Sequence, residues 1–175
     1  MKVGLDVDGV LANFELAMAK HFNKQHLTSY GWDVQWIGEL IHKIENDEEF
    51  WENLPIISHP ESITFDFDYY ITAIPSPMKG ARERWLKKNG FPDKPVIVSD
   101  RKLETMCELG VEVLIDDKIS TMKEVHKAGL CAIHFIPDYM ISDDILINNI
   151  KHLSQVNGKI DEYKRRKLLD EHNKG

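Results

Sequence analysis

The strongest constraint on the fold lies between residues 69 and 136, where short apolar runs alternate with helix-length stretches. "YYITA" (69–73), "VIVS" (96–99), "VEVLIDD" (111–117) and "LCAIHFI" (130–136) read as strands. The stretches 79–89, 102–109 and 120–128 between them read as helices, and each is followed at once by a glycine placed to end it: Gly90, Gly110 and Gly129. Apolar strands separated by helices of this size build a parallel sheet covered on both faces. An opening run over 1–5 adds one more strand.

The segment between that first strand and residue 69 breaks the pattern. It reads as helices over 11–25, 34–45 and 47–53, the last stopped by Pro55, with the aromatic turn "TSYGWDVQW" among them. The expected architecture is therefore α/β: a Rossmann-like parallel sheet flanked by helices, with a small helical cap inserted after the first strand. Residues 1–12 and 66–175 would form the α/β core, and 13–65 the cap. Two further helices, over 142–153 and 159–172, are expected at the C-terminal end.

Polar residues collect where these strands end. "GLDVDGVLANF" places Asp6 and Asp8 just past the first strand, although carboxylates there are poor strand residues and costly to bury alone. Thr72 closes the second strand, Ser99, Asp100 and Lys102 follow the third, and Asp116 and Asp117 close the fourth. In open α/β sheets, ligands bind beyond the carboxyl ends of the strands, so these groups converge on one site. Carboxylates without Cys or His favour a hard cation such as Mg²⁺. A cation with open positions can hold a phosphate, with a lysine and a hydroxyl on its remaining oxygens. One carboxylate can then attack phosphorus while another moves protons.

A net charge of −7 gives no general attraction to nucleic acid or to an anionic membrane, so an anionic substrate needs a metal or local positive charge. "YKRRK" near the C-terminus is flanked by acids and reads as a solvated helical face. Cys107 and Cys131 lack metal-ligand spacing and read as reduced thiols, with a single disulfide as the alternative. The eight histidines show no metal spacing, and "DFD" at 66–68 precedes its strand and reads as a loop. The opening "MKVGLDV" reads as a strand and leaves no room for a signal peptide, and no apolar stretch approaches a membrane span. A cytoplasmic protein is expected, its oligomeric state open, a homodimer included.

An apolar strand followed by "DVDGV", then "YYITA", a lysine and "VLIDD" resembles the haloacid-dehalogenase (HAD) superfamily of phosphotransferases across residues 1–136. The resemblance implies that Asp6 is the nucleophile and forms an aspartyl-phosphate, and that Asp8 protonates the leaving alkoxide and then activates water. It implies Mg²⁺ on Asp6, the Asp8 backbone carbonyl and Asp116, with Asp117 ligating through water or orienting the others. Thr72 and Lys102 would bind phosphate, with Ser76 the alternative hydroxyl and Lys79 or Lys94 the alternative lysines. Gly9 would turn the chain so that backbone N–H groups approach the phosphate. Asp8 favours phosphoryl chemistry, because a halide leaves without a proton and an alkoxide does not.

"DGVLANF", a compact cap, "FWENLP" and "ITAIP" are similar to the 5'(3')-deoxyribonucleotidase branch of that superfamily. In that branch an aromatic eight residues after the nucleophile stacks on the base, and Phe14 stands there. Trp51, Lys79 and Arg82 are further candidates for substrate contact. The resemblance implies a Mg²⁺-dependent phosphatase of nucleoside 5'-monophosphates. A sugar-phosphate phosphatase, a nucleic-acid end-repair phosphatase domain and a non-catalytic nucleotide- or partner-binding module are the alternatives.

Overall fold

Strand β1 (Lys2–Leu5) is flanked on one side by β2 (Tyr69–Thr72) and on the other by β4 (Val111–Asp116). The computed structural model describes residues 1–24, 35–137 and 148–172. With β3 (Val96–Val98), β5 (Cys131–Phe135) and β6 (Asn148–Ile150), the strands form one sheet of six, in the order β3-β2-β1-β4-β5-β6. Every pairing is parallel. The chain fills one half of the sheet outward from β1 and then crosses to the other half, so the order reverses between β1 and β4. The crevice beyond the carboxyl ends at such a reversal is where open α/β sheets hold ligands.

Strand alternation sorts side chains onto two faces. Ile71, Leu114 and Ala132 face helices α5 (Lys102–Leu109) and α6 (Ile119–Lys127), which contribute Met106, Met122 and Val125. Val3, Leu5, Tyr70, Val113, Ile115 and Ile133 face the other way. They join residues of α1 (Phe14–His21), α3 (Glu48–Glu52), α4 (Lys79–Lys88) and α7 (Val156–His172) in one apolar cluster. Buried residues of the segment between β1 and β2 are thus continuous with the core under the sheet.

That segment is fastened at its neck. The Val7 carbonyl accepts from the N–H groups of Val10, Leu11 and Ala12, so a tight turn replaces the expected early helix, and α1 starts only at Phe14. Asn13 caps it, its side-chain oxygen accepting from Leu16 N at 3.1 Å. The returning chain bonds back to this turn: Asn13 N donates to Pro55 O and Ile57 N to Leu11 O, both at 2.7 Å. Ser58 Oγ donates to Val10 O at 2.7 Å. Helix α2 (Gln35–Leu40) runs into a 3₁₀ turn at Ile41–Ile44. Tyr30, Trp32 and the first residue of the helix expected over 34–45 lie outside the described residues.

The helix expected over 142–153 requires correction. Residues 142–147 lie outside the described part, and Asn148–Ile150 is the edge strand β6, in register with Ile133–Phe135. Asparagine is a poor strand former, but here pairing with β5 overrides local preference. Cys131 is buried on β5, Cys107 is exposed, and both are free thiols. Among the described residues, no helix is long and apolar enough to cross a membrane.

Candidate active site

The turn after β1 brings Asp6 and Asp8 to the crevice, where both are almost wholly buried. Asp6 N donates to Ile115 O at 2.9 Å, which fixes the end of β1 against the end of β4. Asp116 and Asp117 therefore face Asp6. One carboxylate oxygen from each of Asp6, Asp116 and Asp117 lies within 4.8 Å of the other two.

Lys102, on the first turn of α5, reaches into this cluster. Its Nζ lies 2.8 Å from Asp6 Oδ2 and 2.6 Å from Asp116 Oδ2, and only 6% of the residue is exposed. Burial opposes its charge, yet Asp116 and Asp6 outweigh that and hold the ammonium above its ordinary range. Asp116 Oδ1 also accepts the backbone N–H of Lys118 at 2.7 Å. Burial is the main influence on Asp6 and pushes it up to about 8. Lys102 pulls the other way, and Asp116 and Asp8 add to the rise.

Asp8 occupies a different environment. Its two oxygens lie 2.6 and 2.7 Å from Arg82 Nη2, and Thr72 Oγ1 donates to Oδ2 at 3.2 Å. Thr72 and Arg82 are wholly buried. Four buried carboxylates and two buried cations, Lys102 and Arg82, thus share this crevice. Asp6, Asp116 and Asp117 together offer an all-oxygen donor set, which fits a divalent cation of the Mg²⁺ type.

Gly9 has φ +83°, and a side chain there would collide with Asp117: an added Cβ would lie 1.9 Å from Asp117 Oδ2. Its N–H donates to Ala12 O at 2.8 Å, so it is engaged within the turn rather than directed at a phosphate. The lack of a side chain is what matters, because it admits Asp117. From behind, His134 on β5 holds the Asp117 carbonyl through Nε2 at 3.0 Å, which puts a hydrogen on that nitrogen. His134 Nδ1 lies 3.1 Å from Asn149 Oδ1 on β6.

The remaining candidates are placed elsewhere. Lys79 is half exposed and faces Glu83 on its own helix at 3.8 Å, and Lys94 pairs with Asp66 at 3.0 Å. Ser76 is exposed in a 3₁₀ turn. Phe14 and Trp51 are each 1% exposed, and their rings stack on one another with centroids 5.5 Å apart. Phe50 meets Phe14 edge-on at 6.1 Å. Phe14 is therefore a core residue, with no open ring face for a base. Of "DFD", Asp68 Oδ2 accepts from Val3 N at 2.8 Å and caps the start of β1.

Arg82, with Lys79 one of two candidate substrate contacts after β2, pairs instead with Asp8, which its place in the chain did not reveal. His134 had no assigned part.

No protein-family model and no curated protein matches this sequence. Among solved structures, the chain is similar to a 2-haloacid dehalogenase from Pseudomonas syringae pv. Tomato DC3000, with a TM-score of 0.50 and 15% identity. The match covers 93% of this chain and 100% of that one. The two share a fold: a parallel, Rossmann-type α/β sheet of the HAD kind, flanked by helices.

Proposed function

We propose that the protein is a Mg²⁺-dependent phosphomonoesterase that works through an aspartyl-phosphate on Asp6. The observation that carries this reading is the division of labour between two neighbouring carboxylates. Asp6 shares Lys102 with Asp116 and lies beside Asp117, in the group of oxygens that could hold a metal. Asp8 is held apart from them by Arg82 and Thr72. One carboxylate beside a lysine and prospective metal ligands, with another on separate donors, is the arrangement that a nucleophile and an acid–base group require.

Asp6, Asp116 and Asp117 would hold the metal together with the Asp8 backbone carbonyl, and the metal would neutralise charge on Asp6 and on the phosphoryl oxygens. An Asp6 oxygen bonds to phosphorus as the ester P–O bond breaks, and Asp8 gives its proton to the departing oxygen. Water then attacks phosphorus, the Asp6–phosphorus bond breaks, and Asp8 takes a proton from that water. Lys102 keeps Asp6 from recoiling from the anionic substrate, and Thr72 gives its hydroxyl hydrogen to Asp8 and orients that carboxyl group. Dehalogenation, the activity in the name of the similar structure, releases a halide that needs no proton. Asp8 would then have no leaving oxygen to protonate.

The substrate class is a small phosphate monoester. Nucleoside 5'-monophosphates head the substrates to be tested because of the "FWENLP" and "ITAIP" segments. Phe14, packed on Trp51, lends that preference no support. A phosphate-release screen over nucleoside monophosphates and sugar phosphates, with and without Mg²⁺, tests the reading. Mg²⁺-dependent release that Asp6→Asn abolishes is expected. Halide release from a 2-haloacid without any phosphate release would overturn it, and nucleotide binding without turnover would favour a binding module.

A further inference from the structure

Arg82 has no accessible surface and lies on the same buried stripe of α4 as Ala81, Trp85 and Leu86. A guanidinium in such a place needs a counter-charge and covered faces. Its faces are covered by Trp51 and Trp85, whose ring centroids each lie 5.4 Å from Cζ. Both indoles are themselves anchored: Trp51 Nε1 donates to Ile44 O and Trp85 Nε1 to Leu54 O, each at 2.9 Å. The counter-charge is Asp8, met by Nη2 alone, while Nε and Nη1 have no hydrogen-bond partner among the described residues. An arginine placed for stability alone would satisfy more of its donors. This one leaves two nitrogens unpaired and directs the third at both oxygens of one carboxylate.

We propose that Arg82 is a positioning residue for Asp8: held between Trp51 and Trp85, it fixes the Asp8 carboxyl group for proton exchange with the ester oxygen and then with water. The proposal rests on reading Asp8 as the acid–base group of phosphoryl transfer. The same carboxyl group serves both half-reactions, so its orientation must persist while it loses a proton to the leaving oxygen and regains one from water. Arg82 and Thr72 anchor it through both steps. Trp51 comes from α3, so packing of the segment between β1 and β2 also sets the aim of the acid–base group.

The test compares two esters. The first is the alkyl phosphate that wild type hydrolyses fastest, whose alkoxide needs a proton to leave. The second is p-nitrophenyl phosphate, whose phenolate does not. For Arg82→Met, which keeps the space between the indoles filled, kcat/KM on the alkyl ester is expected to fall by about 10²–10⁴-fold, and on p-nitrophenyl phosphate by less than about tenfold. Asp8→Asn should show the same disproportion. Equal losses on both esters, or no loss on either, in a folded Arg82→Met overturn the proposal while leaving the phosphatase reading intact. Should that variant fail to fold, Arg82→Lys carries the same test, since it keeps charge but loses the planar group between the rings. Equal losses there overturn the proposal equally. If wild type releases phosphate from neither ester, the phosphatase reading falls and the proposal falls with it.

Discussion

Gly9→Ala isolates the contact on which the carboxylate cluster depends. Two effects add at this position. The backbone has φ +83°, and a side chain in that region costs about 1–2 kcal/mol. The new Cβ would also lie 1.9 Å from Asp117 Oδ2 and 2.2 Å from its Cγ, so the carboxylate must move. Displacing this buried carboxylate costs about 1–3 kcal/mol more. Gly110→Ala provides the control. Gly110 ends α5 in the left-handed region with φ +67°, and an added Cβ there meets nothing within 4 Å. That variant bears the backbone cost alone. In a domain of this size about 2–4 °C of Tm follows each kcal/mol, so Gly110→Ala should lose roughly 2–8 °C and Gly9→Ala roughly 4–20 °C. Thermal unfolding of both variants, with EDTA and with a Mg²⁺ titration, measures the difference. Moving Asp117 should also weaken Mg²⁺ binding at least about tenfold, while Gly110→Ala leaves it unchanged. If Gly9→Ala matches Gly110→Ala in both Tm and Mg²⁺ response, Asp117 does not depend on the space that Gly9 leaves.

Lys102→Met should cost about 3–5 kcal/mol in EDTA, because it leaves Asp6 and Asp116 buried without their shared cation, and Mg²⁺ should recover part of the loss; urea denaturation checks both. Asp6, pushed up to about 8 chiefly by burial from an ordinary value of 3.8, binds its proton more tightly folded than unfolded, so metal-free stability should fall as pH rises from about 4 through 8 and level off above. Denaturation at pH 5.5 and 8.5 in EDTA should show this drop, and both Mg²⁺ and Asp6→Asn should shrink it; equal slopes in wild type and Asp6→Asn would contradict it. His134→Phe keeps a ring in place but removes the donor to the Asp117 carbonyl, and should cost about 1–3 kcal/mol with weaker Mg²⁺ binding, read by urea denaturation and calorimetric titration.

Position along the chain says which strand end a residue occupies, and that much of the site was legible. Asp6, Thr72, Lys102 and Asp116 each stand directly beyond an apolar run or on the helix that follows it, and a parallel sheet carries all such points to one edge. Direction is harder to read than position. Phe14 stands eight residues beyond Asp6, but the Asn13 cap starts a helix that turns its ring onto Trp51. The edge strand Asn148–Ile150 is held by its register with β5, a contact between distant segments that local preference does not encode. Arg82 differs from these, because a local signal was present. Met78, Ala81, Trp85 and Leu86 recur at helical spacing, and Arg82 stands within that apolar stripe. A charge on a stripe that packs against a sheet has to meet an opposite charge in the interior. Beyond β1 and β4 stand four buried carboxylates that can offer it: Asp6, Asp8, Asp116 and Asp117. Lys102 meets Asp6 and Asp116, and Arg82 meets Asp8, so the two cations divide the cluster between them.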